Sequence, residues 1–162
     1  MEEVIIALGS NLGDRLQMIR SAGIFLDSLS ESAVERASIW ESEPVGGAKY
    51  TFLNTAAKMT TRLTPLELLK ELKDFERLSG RDANPTRWGP RILDMDIIRY
   101  GNLICKEESL TIPHPEYRNR LFVLLPMLEI DAGWIDPELR LPLDRFIKDA
   151  PKMELQKTDD RW

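Results

Sequence analysis

From residue 92 to residue 98 the chain reads Ile-Leu-Asp-Met-Asp-Ile-Ile, an apolar, β-branched run broken twice by aspartate. Its length and composition are those of a buried strand. In a strand, residues two apart share a face, so Asp94 and Asp96 project side by side while Leu93, Met95 and Ile97 fill the other face. Any sheet containing this strand must be dry on one side. On the other, beside the aspartates, it must reach water, a cation or a ligand. Two neighbouring carboxylates repel, and burying an uncompensated charge costs on the order of several kcal/mol.

The remaining elements limit which sheet this is. Residues 4–8 form a short apolar run ending at Gly9, and Leu12, Leu16, Ile19, Gly23, Leu26 and Leu29 then recur at helical spacing. Ser10 or Asn11 is the expected cap of that helix, with Asp14 in its first turn. Residues 34–41 and 52–61 read as two strands joined by a loop with Pro44, Gly46 and Gly47. Thr64-Pro65-Leu66-Glu67 is a helix start with a capping box, and Gly80 suits its far end. Residues 81–90 are polar, with two prolines and a glycine, and read as a loop. After the aspartate strand, Gly101-Asn102 is expected to turn into a hairpin with Leu103 and Ile104. Residues 118–130 are expected to be partly helical, limited by Pro126, and residues 143–148 to form one short helix. The polar tail, about residues 152–162 and ending KTDDRW, is expected to be mobile. The order β-α-β-β-α-β predicts an α+β, ferredoxin-like core: an antiparallel sheet with helices on one face, the other left for the C-terminal segment or a ligand.

With 162 residues, 43% hydrophobic and 30% charged, the chain is expected to be a single soluble domain. A net charge of −5 argues against nucleic acid or acidic membranes as partners. The apolar run at the start is too short for a signal peptide or a membrane span. One cysteine, Cys105, precludes an intramolecular disulfide and a Cys-based metal site, so a cytoplasmic setting is expected.

Two readings fit the aspartate pair taken alone. Arg91 could neutralise it in a salt bridge, or the pair could hold a divalent, oxygen-loving ion such as magnesium beside substrate phosphates. The neighbours weigh towards the second. Arg81, Arg87 and Arg91 precede the pair, with Trp88 among them; His114, Arg118 and Arg120 follow it. Arginine forks bind phosphate oxygens in bidentate fashion, although such residues also form ordinary surface salt bridges. Neither GxxxxGK[ST] nor GxGxxG occurs, and ALGSNLGDR reads better as a strand-to-helix turn than as a phosphate cradle. On spacing alone His114 suits a structural role as well as a phosphate donor. No nucleophile stands in a recognisable hydrolase setting.

Together these stretches resemble the 6-hydroxymethyl-7,8-dihydropterin pyrophosphokinase family of folate synthesis. RWGPRILDMDI matches its R-W-G-P-R-x-x-D-x-D-I signature, and ALGSNLGDR, FLNTA, ERLSGR and LTIPHPEYRNRLF follow its order and spacing. The resemblance implies transfer of the diphosphate of ATP to the hydroxymethyl group of the pterin, with release of AMP. Asp94 and Asp96 would hold two magnesium ions, and Arg81 and Arg91 would contact the phosphates as further catalytic residues. Lys73, Glu76, Ile97, Thr111, His114 and Arg120 fall at ATP-contacting positions. The pterin would lie between Phe52 and Phe122 and meet Asn54, Asp94 and the segment holding Ser42, Glu43 and Val45, with Trp88 closing over it. Ser109, Pro115, Glu43 and Leu121 depart from residues common in the family. The resemblance also implies a monomer acting on small molecules. A binding module that has lost turnover, or a metal-dependent nucleotidyltransferase, are the competing expectations.

Overall fold

The strand alternation read from the sequence is the organising feature of the computed structural model, which describes residues 1–42, 51–80 and 93–162. The central strand β1 (Glu2–Ser10) pairs antiparallel with β4 (Phe52–Thr61) on one side and β5 (Asp94–Tyr100) on the other. Val4, Ile6 and Leu8 point to one face, and Ile5 and Ala7 to the opposite one; all five are buried. Beyond β4 come β3 (Trp40–Ser42) and β8 (Leu155–Lys157), so the sheet runs β5-β1-β4-β3-β8, with the short β2 (Glu35–Arg36) also on β4. This is the expected ferredoxin-like arrangement with one strand added at its edge.

The first face is covered by α1 (Arg15–Leu29) and α2 (Pro65–Leu78), which meet through stacked Phe25 and Phe75 rings 4.2 Å apart. Thr64 and Glu67 form the reciprocal capping box of α2, and Gly80 follows at φ 101°. The cap of α1 differs from expectation. Asp14, rather than Ser10 or Asn11, accepts the Gln17 N–H, because Ser10 is still part of β1 and Gly13 makes the intervening turn at φ 70°.

The second face carries a core built on α3 (Leu121–Asp131) and α4 (Leu143–Asp149), with Tyr117, Trp134 and Phe146 among its buried residues. A 3-10 turn (Tyr117–Asn119) precedes α3. Pro126 does not end that helix; it stands within it, removing one backbone donor from an element held by burial of Leu121, Val123, Leu124 and Met127. Buried Asp136 secures the following loop, accepting from the Tyr117 hydroxyl, the Arg118 guanidinium and the Glu138 and Leu139 N–H groups.

Three further expectations are corrected. Residues 34–41 do not form one strand; pairing lapses between β2 and β3, where Thr55 Oγ1 donates to the carbonyls of Ala37 and Ser38. Gly101 does turn the chain, at φ 53°, but Leu103 and Ile104 stay exposed, and the hairpin forms later between β6 (Cys105–Lys106) and β7 (Thr111–Ile112). The polar tail is part of the fold: β8 pairs with β3, and Trp162 Nε1 donates to the Ala37 carbonyl at 2.8 Å.

A β-bulge sets the facing of β5. Ile5 pairs with Arg99 and Ile6 with Ile97, leaving Ile98 without a partner on β1. Strict alternation would send Arg99 to the face of Met95 and Ile97. The extra residue returns it to the α3 side, where its Nη1 grips both Asp131 oxygens at 2.7 and 2.8 Å. No helix among the described residues is long and apolar enough to cross a membrane.

Candidate active site

The α3–α4 layer covers only part of its face. Past its end lies a cavity of about 480 Å³ floored by the strands, within the size range of small-molecule sites. Across the floor, Asp94 and Asp96 come from β5, Ala7 and Gly9 from β1, Phe52 and Asn54 from β4, and Ser42 from β3. Arg120 and Phe122 enter from the start of α3. Register explains the grouping: Gly9 stands opposite both Asp94 and Asn54, and Ser42 opposite Phe52. A Cβ at Gly9 would lie 3.5 Å from Asn54 Oδ1 and 3.8 Å from the Phe52 ring, so glycine keeps this floor low.

The acids face away from Leu93, Met95 and Ile97, which are packed in the core under α1 and α2. Asp96 is 38% exposed, and among the described residues it pairs with Lys73, whose Nζ lies 3.6 Å away. Lys73 also donates to the Met95 carbonyl at 3.1 Å and to Glu76 at 3.2 Å. Glu76 is buried and accepts the Met95 N–H at 2.6 Å. It fastens α2 to the outer edge of β5 instead of lining the cavity, and so holds the lysine beside the acids. The same edge receives the His114 N–H at the Ile98 carbonyl.

His114 keeps a neutral ring more readily than a free histidine. Burial lowers its pKa, Asp96 pulls the other way, and Arg120 adds to the lowering. Its Nδ1 accepts the Glu116 N–H at 3.1 Å, which leaves the proton of the neutral ring on Nε2 as a donor. Asn54 is buried, and its amide donates to Ser42 Oγ at 2.8 Å. That contact fixes the amide and leaves its oxygen as acceptor. Phe52 rises from the sheet and Phe122 descends from α3 on the same cavity. The set therefore joins an oxygen-rich anionic end to an aromatic, amide-lined end. The acids are oxygen donors suited to a hard divalent cation whose remaining ligands would be phosphate and water.

Several residues named from the resemblance do not line this cavity, Lys73, Glu76 and His114 among them. Ile97 is buried beneath the helices, since strand periodicity turns it from the acids. Thr111 stands on β7 opposite Lys106 and does not line the cavity. Glu43, Val45, Arg81, Trp88 and Arg91 lie outside the described residues. A second, broader groove of about 720 Å³ lies at the other end of the sheet, lined by Lys58, Arg99, Asp131 and Trp134. Lys58 and Arg99 there pair with Asp131, and the groove contains none of the candidate residues.

Comparison with known proteins places the chain in a family. The family model described as 7,8-dihydro-6-hydroxymethylpterin-pyrophosphokinase matches residues 5–132. The chain belongs to this family. Among curated members of the pyrophosphokinase family, the 2-amino-4-hydroxy-6-hydroxymethyldihydropteridine pyrophosphokinase of Haemophilus influenzae is 40% identical over 138 residues, 84% of this chain and 86% of that protein. The Bacillus subtilis protein of the same name is 42% identical over 127 residues, 77% and 75% of the two chains. The "Bifunctional protein FolKE" of Lactococcus lactis subsp. cremoris is 42% identical over 132 residues, covering 80% of this chain but only 38% of that relative. The fold is shared with a solved Plasmodium falciparum HPPK-DHPS, at TM-score 0.70 and 12% identity, over 91% of this chain and 43% of that one.

Sequence reasoning missed part of this cavity. Ala7, Glu116, Asn119 and Pro151, Lys152 and Met153 all line it. The alternation of β1 could have placed Ala7 on the floor. Nothing local marks residues 151–153, which reach the site through the pairing of β8.

Proposed function

We propose that this chain transfers the terminal diphosphate of ATP to the hydroxymethyl oxygen of 6-hydroxymethyl-7,8-dihydropterin and releases AMP. One observation carries the reading: a single cavity joins the Asp94–Asp96 pair to the Asn54, Phe52 and Phe122 pocket. In the reaction the pterin oxygen forms a bond to the β-phosphorus, while the bond from that phosphorus to the AMP oxygen breaks. Such transfer depends on positioning and charge neutralisation more than on covalent participation by the protein.

Asp94 and Asp96 would hold two magnesium ions, which when bound neutralise charge on the triphosphate. Asn54 and Ser42 orient the edge of the heterocycle and the two phenylalanines sandwich its faces, which sets the hydroxymethyl group towards the acids. His114 offers Nε2–H, and Arg120 a guanidinium, to phosphate oxygens. Lys73, held by Glu76, supplies positive charge beside Asp96. Arg81 and Arg91 are assigned to the phosphates, Glu43 and Val45 to the pterin edge, and Trp88 to closure over the pterin, as the family signature implies. We assign the activity to one catalytic domain, residues 1–162, working in the cytoplasm as a monomer, as the family resemblance implies.

The test is AMP formation from ATP and magnesium with and without the pterin alcohol. Pterin-dependent AMP and a diphosphorylated pterin are expected. Binding of both ligands without AMP would indicate a module without turnover; pyrophosphate as by-product would indicate a nucleotidyltransferase.

A further inference from the structure

The sheet arranges its functional groups in order, with the acid pair on β5 at one side and β8 at the other. Leu155 of β8 stands opposite Ser42, the residue that fixes Asn54. Two residues earlier, on the same face, Met153 packs with Leu155 and Phe122 against the α3-side core and lines the cavity beside Pro151 and Lys152. The far wall of the heterocycle pocket is thus built by the end of the chain, beyond the residues 5–132 that the family model matches.

This wall is held from behind. Lys157 lies over the Trp40 ring at 5.3 Å, and both the N–H and hydroxyl of Thr158 donate to the Ile39 carbonyl at 2.9 Å. Arg20 Nε reaches the Arg161 carbonyl at 2.9 Å. Trp162 closes the strap: its Nε1 bonds the Ala37 carbonyl, Arg36 sits 5.4 Å over its ring, and it presses on Gly23. A Cβ at Gly23 would come within 3.0 Å of Trp162 Cε3. Trp162 does not line the cavity.

We infer that Met153 is a specificity-determining residue for the heterocyclic substrate, and that Trp162 acts through the β8 strap as its positioning residue. The inference rests on the function proposed above. Methionine suits the role because its unbranched thioether conforms to a flat ring while staying apolar. The strap adds main-chain hydrogen bonds to β3, so the wall and the Ser42–Asn54 pair are tied into one sheet.

Steady-state kinetics with the pterin alcohol and magnesium-ATP test this on wild type, Met153→Ala, Met153→Leu and Trp162→Ala. The expected result is a five- to tenfold rise in KM for the pterin alcohol in Met153→Ala, with KM for ATP within twofold. Met153→Leu should restore wild-type behaviour. Trp162→Ala should raise the pterin KM several-fold while retaining most of kcat. An unmoved pterin KM in Met153→Ala, or equal rises in both KM values, would overturn the inference while leaving the reaction assignment intact. A wild type without pterin-dependent AMP would remove both.

Discussion

The same strands build two unlike regions on one face of the sheet. At one end Ile5, Ala56 and Ile98 are sealed by α3 and α4. At the other, Ala7, Gly9, Asn54 and the aspartates lie open to a cavity. Acidic residues occur in both regions, and their partners separate them. Asp131 is held by both oxygens on Arg99, with Lys58 3.6 Å away, and Asp136 is saturated by Tyr117, Arg118 and two backbone donors. Asp96 has Lys73 at 3.6 Å and is more than a third exposed. Burial raises the pKa of Asp131 despite Arg99. Burial would also raise that of Asp136, but its hydrogen bonds outweigh it and the net shift is downward. Asp131 and Asp136 are buried with their donors in the sealed end, whereas Asp94 and Asp96 line the open cavity.

This contrast can be broken by substitution. The largest effect should come from Asp96→Ala, which is expected to reduce pterin-dependent AMP formation by roughly a thousandfold or more while leaving the thermal midpoint nearly unchanged. A loss of folding with the activity would place Asp96 with the structural acids. The complementary change, Asp131→Ala, strands Arg99 and should cost about 3 kcal/mol in urea unfolding, with kcat of the folded fraction retained. Unchanged stability would show that the buried pair contributes nothing net. Within the open end, Phe122→Ala should raise the pterin KM about tenfold and cost less in unfolding than Asp131→Ala, since its ring is shared between the cavity and the core. The smallest effect concerns His114. Its pKa is depressed in the folded chain, so the unfolded chain takes up the proton first. The neutral ring's contribution is fully present above the ordinary value of 6.5 and declines as pH falls below it. Urea midpoints between pH 7.5 and 5 should fall less steeply in His114→Gln than in wild type; parallel slopes would exclude the linkage.

Local chemistry made much of this legible in the sequence. Thr64 to Glu67 carries its own capping signal, and period-two alternation places Asp94 and Asp96 together and away from Met95. Element order is enough for the ferredoxin-like core. What stayed hidden depends on distant partners. Asp14 caps α1 instead of standing in its first turn because β1 runs longer than its apolar centre suggests. The tail looked mobile because its polar residues give no strand signal until the free edge of β3 pairs with it. Met153 gains its place only through that pairing, and the role of Glu76 only through the Met95 amide. Residues separated by half the chain cannot announce such contacts by spacing.

The unpaired Ile98 has one more consequence. Because it lies between two correctly phased halves of β5, its deletion would leave the facing of both halves unchanged, at the cost of its buried side chain and its bond to the His114 N–H. Loss of Met95 instead would turn Asp94 inward, against the apolar layer beneath the helices. A length change at the bulge would therefore leave the carboxylates facing the cavity, whereas one beside them would not.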